Sequence, residues 1–538
     1  MAFLKIEQKK TGQYLRIYES YRNELGKPAS RVLYSLGKVE DYTAEQLKRF
    51  GDKFYALAGL HPKELFRGDI EEIARYNYGY YQIFRKIFSF YNLDVILERI
   101  SKKHRLEFDL INAVMLMLVE RLNDPCSKRS NYLNQEEYIG INKVELHHLY
   151  RALDYLCDYN HLIQQNIYQS GRDLFNQQLD VVFYDVTTFY FESSVEHEGA
   201  LRQKGFSKDG KIGSTQVLFG LLIDKNKHPI GYKIYRGDTF ESHTFSDAVL
   251  QLKRSYNIDK IIVVADRGMM NKHNIECTEK ENNYEFIIGE KLRMLPAHIQ
   301  KYLINKNNFT KEWIINQDEI IIPVKYCTIE YEGRIIIGTY SQNRADKDKH
   351  EREERIAKGK KLLKTPSLLK NKAHHFFLTE TESQKFLLNE ERIKKDKLFD
   401  GFLAIATNVK HLSVEQVLDN YKQLYQIEHT FRTFKSHLET RPMFHWTDKR
   451  IEGHLCLCYI AYTLLHHLQQ KLSQENMPLS ETQIRKTIDM MQLSLIKNNG
   501  NLFFLRAKMK DDMAAIANTL GLKPLPNILY QETLPKYL

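Results

Sequence analysis

The chain has 538 residues, 43% of them hydrophobic and 27% charged, a composition that excludes a mainly disordered protein. At ordinary domain size this length predicts about three or four folded units. Lys and Arg outnumber Asp and Glu by 79 − 68 = 11, which favours a polyanionic partner, either nucleic acid or an acidic membrane surface. The six cysteines are scattered without zinc spacing, and the N-terminus lacks the apolar segment of a signal peptide. We therefore expect a cytoplasmic protein with reduced thiols.

The first part of the chain changes from a β-type pattern to a helical one. Residues 1–45 contain short alternating runs around Gly26 and Pro28, which predict a small β-hairpin. Residues 46–175 are assigned to a second domain, because the spacing of apolar residues is helical from about residue 70 onward. This mainly helical domain could bind DNA or serve as a scaffold with a solvated basic face, since no helix-turn-helix pattern distinguishes the two.

Residues 176–290 have the element order of an α/β domain. Three strand patterns with short turns, VVFYDVTTFYFES, STQVLFGLLID and PIGYKIYRG, precede a helical stretch and the apolar strand of DKIIVVADRG. The β-branched run of that last strand predicts a central position with both faces covered. Asp185 interrupts the first strand, and Asp266 ends the last one. A buried carboxylate costs several kcal/mol unless a cation, a partner or solvent meets it, so both positions require an explanation.

This α/β domain is predicted to be split by an insertion. Residues 291–395 contain a β-hairpin that turns at Glu332 and Gly333, followed by a charged run that predicts a solvated helix. The α/β pattern resumes within residues 396–470, which also contain the apolar segment LCLCYIAYTLLHHL. That segment is too short to span a bilayer and predicts a buried helix. Residues 471–538 form a C-terminal region that we consider for multimerisation.

The segment HLSVEQVLDNYKQLYQIEHTFRTFKSHLETRP is predicted to be one long helix that begins with a capping box at Ser413 and Gln416. Two sets of its residues recur at seven-residue intervals, and such sets share one inward stripe of a helix. The first set is Val417, Leu424, Phe431 and Leu438, and the second set is Tyr421, Glu428 and Lys435. A glutamate and a lysine thus occupy positions where the pattern predicts an apolar residue such as leucine.

Two interpretations of these charged positions are open. Glu428 and Lys435 could each pair with another segment of the chain. Alternatively, Glu428 could face one cavity together with Asp185 and Asp266. Three such carboxylates repel one another unless cations neutralise them, and hard oxygen ligands select Mg²⁺ or Mn²⁺. A pair of these ions about 4 Å apart could activate water or a 3′-hydroxyl for in-line attack on a phosphodiester. The three acids together favour the metal site, with Asp185 on the first strand of a ribonuclease H-like sheet.

Together these segments resemble the DDE transposases of bacterial insertion sequences, in the branch with a β-rich insertion before the glutamate and a Y-R-E-K signature. The resemblance covers most of the chain, from YLRIYESYR through DVTTFYFES and VVADRGM to YKQLYQIEHTFRTFK and RPMFHW. It implies an α/β fold whose ribonuclease H-like catalytic domain is interrupted by the β-rich insertion and preceded by the mainly helical, DNA-binding domain.

The resemblance implies that Asp185, Asp266 and Glu428 are the catalytic residues and bind Mg²⁺ or Mn²⁺, with two ions as cofactors. The implied function is that of a DNA transposase, which binds the terminal repeats of its element, cleaves there and joins the ends to target DNA. Its partners would be double-stranded DNA and further copies of the chain in a homodimer or higher multimer, with no membrane. Two alternatives stay open: a metal-dependent nuclease or domesticated derivative that cuts without joining, and a catalytically inactive DNA-binding repressor.

The resemblance also implies which residues bind DNA. Tyr421 and Lys435 match signature positions and would lie near the DNA backbone. The signature arginine is replaced by Leu424 in this chain. Its phosphate contact is therefore lost or comes from another residue, for which Arg432 and Arg267 are the candidates.

Other chemical motifs along the chain are weaker. GFSKDGKI matches the start of a phosphate-binding loop, but Ile212 stands where Ser or Thr should hold Mg²⁺, and we reject a nucleotide site. Trp313 could stack a displaced base or belong to the β-core. His445, Trp446 and His454 are assigned to packing or hydrogen bonding, because Mg²⁺ prefers oxygen ligands.

Overall fold

The computed structural model describes residues 2–24, 26–57, 70–175, 180–197, 200–205, 213–256, 261–269, 271–276, 278–279, 284–317, 320–364, 377–380, 386–498 and 500–537. Most of the GFSKDGKI segment, including Ile212, lies outside these residues. The chain divides into two compact units. The first comprises Met1–Arg75, Leu493–Arg506 and Pro526–Leu534, and the second comprises Tyr76–Gln492, Ala507–Leu525 and Pro535–Leu538.

The α-helices of the described residues are α1 Ala44–Leu57, α2 Gly79–Phe90, α3 Leu93–His104, α4 Leu110–Asn123, α5 Lys128–Asn134, α6 Leu146–Asp158, α7 Asn160–Phe175, α8 Glu241–Tyr256, α9 Lys272–Glu276, α10 Ala297–Ile304, α11 Gln342–Lys364, α12 Glu390–Lys397, α13 Val414–Lys422, α14 Tyr425–Arg432, α15 Asp448–Gln474, α16 Glu481–Asp489 and α17 Asp511–Thr519. The strands are β1 Ala2–Lys9, β2 Gly12–Arg22, β3 Pro28–Lys38, β4 Ile70–Asn77, β5 Val181–Tyr190, β6 Gln203–Lys204, β7 Thr215–Asp224, β8 Pro229–Arg236, β9 Ile262–Ala265, β10 Glu285–Glu290, β11 Lys311–Gln317, β12 Ile320–Tyr331, β13 Arg334–Tyr340, β14 Leu378–Glu380, β15 Phe386–Leu388, β16 Phe402–Thr407, β17 Gln492–Asn498, β18 Asn501–Arg506 and β19 Ile528–Leu529.

The first unit contains two β-sheets. β1, β2 and β3 form a three-stranded sheet, in which the predicted hairpin around Gly26 and Pro28 is the β2–β3 pair. A second sheet has the order β19-β18-β17-β4, so strands from both ends of the chain meet in it. The helical pattern predicted from about residue 70 is wrong for β4. Pairing with a distant strand outweighs a weak local preference there, because β-strand formation depends on its neighbours more than on sequence.

The second unit is built on a sheet that has ten strands in the described residues, in the order β11-β12-β13-β16-β10-β9-β5-β7-β6 with β8 paired to β7. β5, β9 and β10 are parallel to one another, whereas β7 and β16 run antiparallel to their neighbours. The predicted mixed α/β fold is confirmed. The apolar run of DKIIVVADRG is β9, and its four residues are buried in the middle of the sheet, as the pattern predicts.

Helices cover both faces of this sheet. On one face the ring of Tyr184 on β5 meets Phe245 of α8 edge-on, at 5.8 Å between centroids. On the other face Phe219 of β7 lies 5.4 Å from Phe434, which stacks on Tyr462 of α15 at 5.1 Å. Most residues of the central strands are therefore enclosed.

The helical layer of the second unit has α15 at its centre. This helix contains the apolar segment LCLCYIAYTLLHHL, and nearly all its residues from Ile451 to Leu468 are buried, as predicted. It packs against α4 and α6. The helical pattern predicted up to residue 175 is confirmed by α2 to α7. Within the described residues, no helix combines the length and the apolar character needed to cross a membrane.

The strands that follow α10 extend the same sheet. β12 and β13 form the predicted hairpin, and its turn residues Glu332 and Gly333 both have positive φ, 49° and 74°. Two consecutive positive φ angles are typical of the type I′ turn of two-residue hairpins. β13 pairs with β16, and β16 pairs with β10. The charged run forms α11, which is largely exposed, as predicted.

Candidate active site

Two of the predicted acids lie on neighbouring parallel strands. Tyr184 of β5 is paired with Ala265 of β9, and Asp185 and Asp266 are the next residues along each strand direction. Neighbouring strands lie about 4.8 Å apart, and residues at the same level of parallel strands point to the same side. The structure therefore brings these two carboxyl groups together at the carboxyl end of β9. Asp185 is half-buried, and Asp266 is exposed.

The surroundings of Asp185 explain how a carboxylate is tolerated in an apolar strand. Its Oδ1 accepts a hydrogen bond from the backbone N–H of Val186 at 2.7 Å. Thr187 and Phe189, two and four residues further, lie on the same side of β5 and are buried. Phe183, two residues earlier on this side, is also buried, so Asp185 is a half-buried position between covered ones.

The helix predicted from Ser413 onward is wrong as one continuous element. It consists of α13, α14 and a π-helical turn at Thr433–His437. At the first break the N–H of Leu424 donates to the carbonyl oxygen of Tyr421 at 3.1 Å, three residues back. At the second, the N–H of Leu438 donates to a carbonyl five residues back at 2.9 Å. Each break changes the rotation per residue, so a seven-residue spacing no longer keeps side chains on one stripe.

The broken helix places Glu428 on the surface. Val417 and Phe431 are buried as predicted, whereas Glu428 is exposed, and its predicted inward position is wrong. α14 packs on β5, the strand of Asp185. Among the described residues, no three His, Cys, Asp or Glu side chains are close enough together to hold a metal ion. The strand pairing brings Asp185 and Asp266 together, whereas Glu428 does not complete a group of three ligands with them in this structure.

Tyr421 connects α13 to the second aspartate. α13 begins with the predicted capping box of Ser413 and Gln416. At its other end the hydroxyl of Tyr421 lies close to Asp266, whose charge acts on it. The hydroxyl lies over Gly289 of β10, where an added Cβ would be 2.4 Å from its oxygen. Burial, and next the charge of Asp266, raise the pKa of Tyr421, which is therefore a neutral donor that can orient the carboxylate.

A cavity of about 690 Å³ opens beside Asp266. Its wall includes Arg267 and Lys291, for which no ion pair is found among the described residues, and Arg344 at the start of α11. The charge of Arg344 opposes the rise in the pKa of Tyr421 that burial causes, so this arginine lies close to the site. The sequence gives no sign of this role for Arg344, because a charged helical run predicts a solvated surface. Other charged residues of the cavity wall form ion pairs with one another. Arg352 pairs with Asp400 and Asp396, and Arg293 pairs with Asp396.

The remaining predicted DNA-contacting residues surround α14. Arg432 is exposed and lies one helical turn beyond Glu428, on the same side of the helix. Lys435 is half-buried in the π-helical turn. Arg267 follows the second aspartate in a short 3-10 turn. Leu424 is half-buried at the break between α13 and α14, so the signature position carries an apolar side chain beside the site.

The aromatic and histidine residues outside the acidic site have different surroundings. Trp313 is buried, and its Nε1 donates to Asp419 Oδ1 at 2.8 Å, which fits the β-core interpretation. His445 and His454 lie with ring centroids 4.9 Å apart, and burial lowers the pKa of His445 to about 3. Both therefore fit the packing role that the sequence predicts. Trp446, in contrast, is 60% exposed, more than a packing role requires.

Comparison with protein families places most of these residues inside one matched region. The model of the transposase DDE domain matches residues 176–464, more than half of the chain. The model of the N-terminal domain of IS1634 family transposases matches residues 4–53, which contain the three-stranded sheet and most of α1.

Individual relatives match over shorter stretches. The probable transposase for insertion sequence element IS5377 of Geobacillus stearothermophilus is 34% identical over 79 residues. This match covers 14% of the chain and 21% of the relative, so the chain spans about a fifth of the length of that protein. The solved structure of the Mos1 transposase paired-end complex with left transposon end matches with 13% identity over 32% of this chain and 57% of that chain. Its TM-score is 0.15, which is too low to support an argument about the fold.

Proposed function

The chain belongs to the transposases with a DDE domain, and from this premise we propose that it binds the terminal repeats of an insertion sequence, cleaves at the ends and joins them to target DNA. The observation that carries the proposal is the position of Asp185 and Asp266 on adjacent parallel strands within the matched region. The excess of 11 positive charges supports a DNA partner.

We propose that the catalytic domain is ribonuclease H-like. The support is the strand order β8-β7-β5-β9-β10, with β7 antiparallel to both neighbours and β9 and β10 parallel to β5. The helix α8 connects β8 to β9, as a parallel crossover requires. On this proposal residues 291–395, which contain β11 to β13 and α11, are the β-rich insertion. β16 would then return the chain to the domain before α13.

We propose that Asp185, Asp266 and Glu428 hold divalent cations, Mg²⁺ or Mn²⁺ and two in number. The two aspartates fit such ions, because carboxylate oxygens are their preferred ligands and two carboxylates on adjacent strands repel each other without a cation; Glu428 would join them when ions and DNA are bound. Bound ions would activate the attacking hydroxyl group and stabilise the leaving oxygen. The chain itself determines the positions of the acids. Adjacent strands hold the two aspartates, and Tyr421 orients Asp266. The helix α14, which packs on β5, carries the glutamate.

The DNA backbone would be held by cations around the acids. Arg267 lies directly after the second aspartate, and Arg432 lies on the side of α14 that carries Glu428. Lys435 and Tyr421 complete the set that the family resemblance implies. Arg344 is the residue that we add, because it lines the cavity beside Asp266 and could supply the positive charge that Leu424 lacks. Holding two element ends at once would require a homodimer or a higher multimer.

The reaction needs no nucleotide cofactor. Cleavage adds water across a phosphodiester and leaves a 3′-hydroxyl and a 5′-phosphate. Joining then exchanges one phosphodiester for another, with the 3′-hydroxyl as nucleophile and a target-strand 3′-oxygen as the leaving group. The number of phosphodiester bonds is unchanged in the joining step, so no external energy source is required.

Strand breaks mapped at nucleotide resolution test this function. Purified protein with Mg²⁺ is incubated with linear DNA that carries the sequences flanking its gene. We expect breaks at two inverted ends with the wild type. Asp185→Asn and Glu428→Gln should retain end binding and lower cleavage at least 100-fold, because each removes a carboxylate charge from the metal ligands. Glu475→Gln, a matched change of an exposed glutamate at the end of α15, should cleave normally.

The products decide between the transposase and its alternatives. Joined products support transposition, whereas breaks without joining would identify a nuclease or domesticated derivative. End binding without any break in the wild type would identify a DNA-binding repressor. Full cleavage by Glu428→Gln would contradict the role proposed for α14.

A further inference from the structure

Two exposed aromatic side chains, Phe444 and Trp446, form what we call the aromatic surface. Phe444 is 68% exposed and Trp446 is 60% exposed, while the other tryptophan of the chain, Trp313, is 9% exposed. Large rings in water represent apolar area that a ligand or partner could cover. An indole with an open face is also a good platform for stacking.

The segment of the aromatic surface is attached to the end of β5, the strand that carries the first aspartate. Met443 forms a parallel bridge with Phe191, and its N–H donates to the carbonyl oxygen of Tyr190 at 3.0 Å. Phe191 lies six residues beyond Asp185, and an even number of residues keeps both side chains on one side of a strand. At about 3.3 Å per residue the two are roughly 20 Å apart. A single strand that extends from the cleavage site by this length would therefore be long enough to reach this segment.

Arg202 lies beneath one face of Trp446. Its guanidinium carbon is 4.4 Å from the centroid of that ring and 5.3 Å from the ring of Phe191. Arg202 is only 2% exposed, and among the described residues its Nε and Nη2 have no hydrogen-bond partner. The nearby carboxylate of Asp448 accepts the N–H of Leu201 at 3.2 Å. A buried cation whose N–H groups lack acceptors favours a negatively charged ligand close to it.

A ligand for this surface must combine flat apolar faces with negative charge. Nucleotides have both. In a duplex the faces of the bases are covered by their neighbours, so only edges and phosphates are accessible to side chains. Unpaired bases expose their faces and stack readily on aromatic side chains of proteins. The attachment of this segment to the strand of Asp185, the buried cation Arg202 and the basic excess of the chain favour DNA over a protein partner.

We propose that the aromatic surface stacks the unpaired bases of a DNA strand that extends from the cleavage site. Arg202 is a positioning residue: it holds the ring of Trp446 and attracts the phosphates of the strand. The inference rests on the proposed function, because it assumes that DNA reaches Asp185. It adds a partner state, single-stranded DNA, and the residues that would select it over duplex.

Binding measured in EDTA tests the stacking independently of catalysis. The probes are a thymidine oligonucleotide of about 15 nucleotides, long enough for one single-strand site, and the same strand annealed to its complement. Tryptophan fluorescence reports the contact, since only Trp446 is exposed and Trp446→Phe supplies the blank. We expect the single strand to quench the fluorescence of the wild type and to leave that of Trp446→Phe unchanged.

The affinities of variants provide the second readout. Trp446→Ala and Phe444→Ala should each weaken single-strand binding about tenfold, while duplex binding changes less than twofold. Trp446→Phe should retain most of the affinity, because a smaller ring still stacks. Leu133→Ala, which removes an apolar side chain that is 66% exposed on α5, is the control and should bind like the wild type. Thermal unfolding of every variant separates lost stacking from lost folding.

Each contrary result has a distinct meaning. Equal losses for single strand and duplex, or the absence of quenching, would overturn the stacking proposal even if Mg²⁺-dependent cleavage persists. Self-association that Trp446→Ala abolishes would assign the aromatic surface to a second copy of the chain instead. If the wild type binds neither probe nor element ends, the proposed function fails as well.

Discussion

Tyr421 reaches Asp266 across β10 because residue 289 has no side chain. The hydroxyl occupies the space in which a Cβ at Gly289 would lie, and the same Cβ would be 2.9 Å from the backbone nitrogen of Arg267. Both the tyrosine and the turn after β9 depend on this gap. A glycine within the strand pattern YEFIIGEK is the sequence signal for such a close approach.

Replacing this glycine should disable the site without unfolding the chain. In Gly289→Ala the methyl group displaces the hydroxyl of Tyr421 and presses on the turn that carries Asp266. We expect the free energy of unfolding to fall by about 1–3 kcal/mol, as in other overpacked sites, and DNA cleavage to fall at least tenfold. Thermal unfolding and the rate of end cleavage measure the two effects.

A second glycine provides the matched control for this prediction. Gly359 lies on α11, and an added Cβ there would meet only side-chain atoms at 3.6 Å or more. Gly359→Ala should leave cleavage unchanged and raise stability by up to about 1 kcal/mol, because alanine favours a helix. Wild-type cleavage by Gly289→Ala would show that the contact between Tyr421 and Asp266 is dispensable.

At the scale of elements, the pattern of apolar residues predicts a helix or strand correctly wherever burial is uniform along it. β9 could be predicted because four apolar residues suit only a covered strand, and α15 because its apolar residues surround the helix. The helix of Glu428 could not be predicted as it is. The breaks after Tyr421 and at Thr433 depend on backbone hydrogen bonds to carbonyls three and five residues back, which no apolar spacing encodes. Because of the same breaks, the seven-residue spacing predicts an inward position for Glu428 that the helix does not give it.

The buried histidines of α15 make stability depend on pH. Burial lowers the pKa of His467 to about 3 and the pKa values of His454 and His466 well below the usual value near 6.5. The unfolded chain therefore binds more protons than the folded chain below pH 6.5, and stability present above that pH is lost as the pH falls toward 3. Each such histidine contributes a slope of at most about 1.4 kcal/mol per pH unit.

A single substitution on α15 isolates this slope. His467 Nδ1 lies 3.2 Å from the hydroxyl of Tyr91, and an asparagine amide can take over that contact. His467→Asn should lower stability at pH 7 but flatten its decline between pH 6.5 and 5, measured by chemical denaturation at each pH. His350→Asn, on the exposed face of α11, is the control and should keep the wild-type slope. An unchanged slope in His467→Asn would mean that this histidine does not remain neutral in the folded protein.

At the scale of the whole molecule, the sequence predicts local order and misses long-range pairing. The strand order around Asp185 and Asp266 follows from βαβ connectivity, which constrains parallel neighbours. The sheet of the first unit has no such constraint. β4 lies near residue 70, and its neighbour β17 lies more than 400 residues later. The spacing of apolar residues contains information about one segment at a time. It therefore predicts a helical region at β4 and no partner for the C-terminal strands.

This pairing determines where the N-terminal part can be removed. β4 is the strand next to β17, so it covers an edge of the hairpin formed by β17 and β18. A variant without residues 1–57 keeps this sheet complete and should remain monodisperse. A variant without residues 1–77 leaves the N–H and C=O groups of β17 without their strand partner, and such edges promote aggregation. Size-exclusion chromatography with light scattering compares the two. Equal behaviour would show that β4 does not protect β17, whereas aggregation of only the longer deletion would establish β4 as part of the C-terminal sheet.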